Sequence, residues 1–445
     1  MNVGSLQISP VLAVVSRQFE TSILVLGALL VIGALASGLA RRSFVTLTAL
    51  FVVAGFALGH GGFGVLKFPA RGSFVADLAT VALIVILFRD GLEVEGEMLQ
   101  AHWRLPLRKL VLAMPLTAVI IAVAGRVLAG LSWTEAFLLG ALLSPTDPVL
   151  SSSVVTNPRV PRLVRHSLNL ESGLNDGLAL PAVLILAAAL GGGPHFVWWQ
   201  FALENIGFGL AVGLGVGLIA TRVLPGESGL THGARGTGGA GGVGGIPSHQ
   251  RALYGLGVAC AAYGIAILIP NGNGLISVYV AAITLGIRRP DIRHYFERQA
   301  ADVVEIVKLG IFVVFGSLLT VDGLFESGWA AVGVMLIALL VARPVAVFAA
   351  LARTKTDFAT RAFMSWFGPK GVATMTFSLL VLSDQIAAGP KIFGLTALTV
   401  FCSILAHGAT DTAGAEWLGA RAERAELAER GDGSARSDQA LAAEP

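Results

Sequence analysis

Long apolar runs broken by short polar ones dominate the chain, and runs of about 17–25 apolar residues read as membrane-crossing helices. Roughly thirteen such spans fall between Ser22 and His407, at approximately 22–40, 44–62, 74–98, 107–131, 134–156, 164–191, 196–222, 252–269, 272–288, 297–320, 328–352, 358–383 and 389–409. The pattern predicts an all-α polytopic membrane protein. Its transmembrane domain covers 1–409, as a first half 22–222 and a second half 252–409. The Gly-rich stretch 223–251 between them buries too little apolar surface to order itself and is expected to be a flexible cytoplasmic linker. Residues 410–445 turn polar and rich in Ala, Glu and Arg, which predicts a short cytoplasmic tail, helical through Leu427 and disordered from Gly431. Ala34-Leu35-Ala36 has the small-residue pattern of a signal-peptidase site. The apolar run before it lacks a basic start and continues to Ala40, so a retained first span is expected.

Composition agrees with this pattern. The chain is 55% hydrophobic and 13% charged, and that charged share is about half of what a soluble domain carries. A net charge of +3 matters less than where the charges lie. One set of loops holds Arg41, Arg42, Arg89, Arg104, Arg108, Lys109, Arg159, Arg162, Arg165, Arg222, Arg235, Arg251, Arg288, Arg289, Arg293, Arg298, Arg353, Lys355 and Arg361. The opposite loops hold only Lys67, Arg71, Arg126 and Lys391. The asymmetry predicts an external N-terminus and a cytoplasmic C-terminus. The lipid bilayer is the expected surroundings and no nucleic-acid partner is implied. Cys260 and Cys402 lie in apolar spans as small hydrophobes, and no metal, redox or cofactor role is assigned to them.

Two spans are interrupted at similar depth. The fifth contains Ser144-Pro145-Thr146-Asp147-Pro148 and the twelfth Gly368-Pro369-Lys370-Gly371. Proline inside a helix removes a backbone hydrogen bond, and the freed groups need partners or a wet cavity. A proline kink explains either break alone. Matching breaks in two halves, each carrying a charge, point to a transporter binding site between inverted repeats.

The sixth span carries Asn169-Leu170-Glu171-Ser172-Gly173-Leu174-Asn175-Asp176-Gly177. An ionised acid at mid-membrane costs about 2.5–3.5 kcal/mol, so such a group is paired or used. Ser172 and Asp176 share one helical stripe, and Glu171 and Asn175 share the stripe beside it. Oxygens of Asp176 and Ser172, with Thr146 and Asp147 from the broken fifth span, suit a small hard cation. Glu171 calls for a cationic partner. Arg343, in Val341-Ala342-Arg343-Pro344, is the first candidate for a structural ion pair, and Lys370 competes with it. The alternative task of Lys370 is to neutralise the carbonyl ends where the broken helices meet. In the tenth span Glu305 and Lys308 are expected to satisfy each other, with Asp302 near the cytoplasmic end. Arg89-Asp90 and Glu93, Glu95 and Glu97 are expected to form a solvated end of the third span, and to attract cations only secondarily.

Thr146-Asp147-Pro148 in the fifth span, Glu171-Ser172-x-x-Asn175-Asp176 in the sixth and Arg343 in the eleventh together resemble the cation:proton antiporters of the sodium/proton exchanger type. The resemblance implies a core domain with two crossed broken helices, a dimerisation domain, and a homodimer. It implies that Asp176 carries ion and proton, that Ser172, Thr146 and Asp147 surround the ion, that Asn175 lies beside it, and that Glu171 pairs with Arg343. Asn175 ahead of the carrier Asp implies electroneutral exchange of one cation per proton, serving pH and sodium homeostasis at a bacterial plasma membrane. Relatives often carry an acid directly after the Phe of the third span, where this chain has Arg89 after Phe88 and Asp90 next. That departure argues against an ion ligand from the third span.

A transporter, not an enzyme, is therefore expected, with sodium (and lithium) as first choice of substrate and potassium as the rival ion. An intramembrane hydrolase using Ser151, Ser152 or Ser153 with His166 is remote, since no Gly-x-Ser-x-Gly turn is present. A membrane-bound sensor is a third reading, weakened by the short tail.

Overall fold

The computed structural model describes residues 24–33, 35, 47–94, 103–147, 154, 157–193, 196–224, 248–268, 272–354, 356–384 and 386–442. Among them the chain is helical, with no strand. The helices in order are α1 (Leu24–Gly33), α2 (Leu47–Leu58), α3 (Ser73–Leu92), α4 (Arg104–Leu128), α5 (Trp133–Leu143), α6 (Arg162–Gly191), α7 (Trp198–Val223) and α8 (Ser248–Leu268). There follow α9 (Gly274–Arg288), α10 (Pro290–Gln299), α11 (Ala301–Ser317), α12 (Trp329–Leu351), α13 (Phe358–Trp366), α14 (Val372–Ser383) and α15 (Gly389–Ala442). Six of the described helices are long and apolar enough to cross a membrane, and five apolar helices are shorter. Two of the short ones, α5 and α14, are halves of the interrupted fifth and twelfth spans.

Polar residues at the helix starts fix several boundaries. The Ser132 hydroxyl accepts from the Glu135 N–H while Glu135 accepts from the Ser132 N–H, a capping box that opens α5. Asn273 and Asp357 cap α9 and α13 in the same sense, accepting from Ile276 and Thr360 at 3.1 Å each. Helix α7 lies along α9, α2 along α11, α4 on α5, and α14 against both α3 and α15. Large apolar side chains such as Trp198, Trp199, Leu203 and Trp329 stay exposed, as expected of a surface solvated by lipid tails.

The fourth and eleventh spans each contain a π-helical turn, Lys109–Ala113 in α4 and Ile337–Ala342 in α12. Pro115 and Pro344 follow two residues after these turns. A proline lacks the N–H of the ordinary ladder, so the preceding turn shifts register.

Three expectations about the chain's ends and connections change. The tenth span begins at Ala301, as α11, and the connection before it holds a separate amphipathic helix, α10, that the span pattern did not predict. The linker 223–251 falls mostly outside the described residues, and α8 begins inside its expected limits, at Ser248. The last helix runs through Gly431 to Ala442 without ending, because the strong helix formers Ala, Glu and Arg outweigh about 1 kcal/mol per glycine.

Helix α10 is clamped at its first turn. Arg289 reaches both Asp291 oxygens, at 2.9 and 2.8 Å, and the Leu224 carbonyl at 2.6 Å, while Arg251 approaches Asp291 at 3.1 Å. Burial alone would raise the Asp291 carboxyl; the Arg289 hydrogen bonds and the two guanidinium charges more than offset it and hold the group below the usual carboxylate range. A carboxyl held low stabilises the fold above its unfolded-state value and loses that contribution as pH falls. Asp291→Asn is expected to cost about 0.5–1 kcal/mol at neutral pH, with allowance for solvent screening. In chemical denaturation the difference from wild type should fade as pH drops below about 4, and a pH-independent difference would contradict the clamp.

Candidate functional site

Helix α5 stops at Leu143, and Pro145, Thr146 and Asp147 are non-helical. Helix α13 stops at Trp366 and α14 resumes at Val372, with 367–371 non-helical between them. The two interruptions meet. The Asp147 N–H donates to the Pro369 carbonyl at 2.8 Å, so one break satisfies a carbonyl freed by the other. Gly371 makes the approach possible, because a Cβ there would overlap Asp147. Gly368 likewise leaves room for the Arg343 guanidinium.

Asp176, only 5% exposed, lies on α6 beside this crossing. Its carboxyl faces that of Asp90 on α3 within hydrogen-bonding reach, and Asp147 lies within electrostatic range of both. Among the described residues no Lys or Arg is ion-paired to Asp176. Ser172 is buried one helical turn before it. The three carboxyl groups are not placed as a resident metal site among the described residues.

The solvated helix end expected for Arg89-Asp90 is not what forms. Asp90 is 2% exposed, Arg89 reaches its Oδ1 at 2.9 and 2.5 Å, and Glu93 lies 3.4 Å from Arg89. Asp90, one position beyond the place after Phe88, is the acid of the third span that faces Asp176. Helix α3 packs closely on α6, where a Cβ on Gly173 would lie 3.1 Å from the Asp90 carbonyl, and this turns Asp90 toward Asp176. Glu95 and Glu97 lie outside the described residues. Among the described residues Glu305 and Lys308 form no close ion pair: Glu305 is exposed and acts on Lys308 only at longer range, whereas Lys308 is buried within electrostatic reach of Arg89, Asp147 and Asp90 as well.

Glu171 occupies the neighbouring stripe. Its Oε1 accepts from Arg343 at 2.9 Å and its Oε2 from Lys109 at 2.5 Å. Lys109 also donates to the Ser167 carbonyl at 3.3 Å and is 1% exposed, so it is not the loop residue its position suggested. The signal was present in the sequence: Lys109 falls inside the fourth apolar run, where a charge needs a partner. The two cations stand at the ends of the two π turns, Lys109 opening one and Arg343 following the other. Thr146 ties this group to the crossing, since its carbonyl accepts from Asn175 Nδ2 at 2.5 Å and its hydroxyl lies 3.3 Å from both Asn175 and Arg343. Lys370 is fully buried in the second break, and among the described residues its Nζ has no hydrogen-bond partner and is not ion-paired to Glu171. Ser151, Ser152 and Ser153 lie outside the described residues.

Helices interrupted back to back inside a membrane domain, with buried acids gathered at the crossing, define the architecture of a secondary transporter. The model of the family described as sodium/hydrogen exchanger, transmembrane, matches residues 26–413, and the chain belongs to that family. The K(+)/H(+) antiporter NhaP2 of Shewanella sp. (strain MR-4) is 25% identical over 404 residues, covering 88% of this chain and 66% of that protein. The K(+)/H(+) antiporter NhaP of Alkalimonas amylolytica is 24% identical over 403 residues, covering 89% and 67%. The chain thus spans about two thirds of the length of these relatives. Among solved structures, the sodium proton antiporter MjNhaP1 from Methanocaldococcus jannaschii at pH 8 matches with a TM-score of 0.74 at 19% identity, over 90% of this chain and 99% of that one.

Proposed function

We propose that the protein exchanges a monovalent cation for protons across the membrane, with Asp176 as the group that holds each in turn. The observation that carries this reading is a buried carboxyl at the crossing of two broken helices, with other acids near it and, among the described residues, no basic side chain ion-paired to it. A bare charge there is costly, so the carboxylate is neutralised by a proton or by a cation, and the two compete for one group. Exchange needs no further coupling device. One charge replaces one charge, which makes the cycle electroneutral.

Asp147 and Ser172 supply further oxygens to the ion, and Thr146 offers the second lone pair of its carbonyl while Asn175 occupies the first. Glu171, Lys109 and Arg343 form the structural ion group beside the site. Lys370 places a positive charge at the carbonyl ends of the crossing. The occupied site crosses by rigid movement of the core against a dimerising domain, within a homodimer whose C-terminus faces the cytoplasm.

Sodium is the first reading of the substrate, in line with the family's description. Potassium is the second, supported by the names of the two bacterial relatives. Purified protein in proteoliposomes loaded with a pH-sensitive dye is expected to alkalinise or acidify the lumen when a cation gradient is imposed. Sodium, lithium and potassium compared at several pH values identify the ion. Proton flux indifferent to all three would refute the reading.

A further inference from the structure

A continuous twelfth span would join the Lys370 N–H to the Trp366 carbonyl by the ordinary i to i−4 hydrogen bond of a helix. The interruption removes that bond. Both of its halves are taken up by α15: the Lys370 N–H donates to Ser403 Oγ at 2.9 Å, and the Trp366 carbonyl lies 2.8 Å from His407 Nε2. Ser403 and His407 are one turn apart, with 3.1 Å between the hydroxyl oxygen and His407 Nδ1. Each ring nitrogen faces a carbonyl oxygen, Nε2 that of Trp366 and Nδ1 that of Ser403, and a nitrogen that carries a proton donates to the carbonyl it faces. A hydroxyl for the freed amide and an imidazole for the freed carbonyl thereby stand one turn apart on α15, in place of the missing bond.

Nδ1 also lies 2.7 Å from the Ser403 carbonyl, and the Gly368 N–H also reaches the Trp366 carbonyl at 2.8 Å. The charged groups facing the ring are Lys370 and Arg343. Other contacts hold the same end of the break to α15. The Trp366 indole stacks on the imidazole at 5.0 Å and donates to Thr410 Oγ1 at 2.9 Å. The Phe367 ring packs where a Cβ on Gly414 would stand. The first break is held comparably, its Thr146 carbonyl accepting from Asn175 on the helix that follows it.

We propose that Ser403 and His407 are positioning residues of the exchange cycle, replacing the missing helical hydrogen bond so that the second break keeps the register in which the Pro369 carbonyl holds Asp147. This inference rests on the exchange reading above. Loosening the register displaces Asp147 from the ion, so cation affinity should suffer before turnover does.

In the proteoliposome assay, His407→Leu and Ser403→Ala are expected to raise the cation KM about tenfold, the worth of one buried hydrogen bond, with Vmax within about twofold of wild type. His407→Gln, whose side-chain amide can reach the Trp366 carbonyl, is expected to return KM to within about threefold. A fall in Vmax at unchanged KM would make the pair a folding element only and overturn the proposal, as would wild-type kinetics in both variants. Should His407→Leu not be recovered folded, Ser403→Ala, the loss of one hydroxyl, carries the same two outcomes. A wild-type protein without cation-dependent flux would overturn the exchange reading itself, and this inference with it.

Discussion

Asp176→Asn is expected to abolish cation-dependent proton flux in proteoliposomes while leaving the protein folded. Asparagine keeps the shape of the side chain but neither binds a proton reversibly nor carries the charge that holds a cation. Asp176 is buried, and among the described residues no Lys or Arg is ion-paired to it, Arg89 within electrostatic range being bound to Asp90; its neutralisation therefore strands no ion-pair partner, and stability should hold or rise. Gel filtration and thermal melting would establish the fold, and dye-reported flux the loss. Exchange retained at more than about a hundredth of the wild-type rate would remove Asp176 from the role of carrier.

Glu171→Ala is expected to behave in the opposite way, destabilising the protein by about 3–5 kcal/mol because it leaves uncompensated buried charge. Lys109 and Arg343 both close on this carboxylate and are themselves buried. Removing it leaves two cations in a dry interior with no anion between them. Chemical denaturation in detergent measures the effect. A change below about 1 kcal/mol would mean that water or a neighbouring acid takes over the pairing.

These two substitutions, five residues apart on one helix, separate what the sequence disclosed from what it withheld. The span pattern predicted the helices well because lipid demands long apolar runs, and the paired proline breaks marked the crossing because proline cannot continue a helical ladder. The i and i+4 stripes set Glu171 and Asn175 apart from Ser172 and Asp176, and Glu171 meets Lys109 and Arg343 while Asp176 faces Asp90, since helical periodicity alone sets those faces. The withheld facts concern charges near span ends. Lys109 and Asp90 were read as loop and helix-end groups by their distance from the centre of an apolar run. Depth along the chain is a poor guide to burial when a neighbouring helix, α6, reaches past that end and covers it. Pairing between the side chains of one span and the broken backbone of the next, such as that of Ser403 and His407 with the twelfth span, leaves no local signal at all.

Glu171 also constrains how the molecule can move. Its two cations come from opposite halves of the chain, Lys109 from the fourth span and Arg343 from the eleventh. Sliding one half past the other would tear this three-way junction open and expose like charges to hydrocarbon. Under the rigid movement proposed above, the travelling unit would then be a mosaic of both halves riveted at one acid, and the seam along which it slips would run through each half instead of between them.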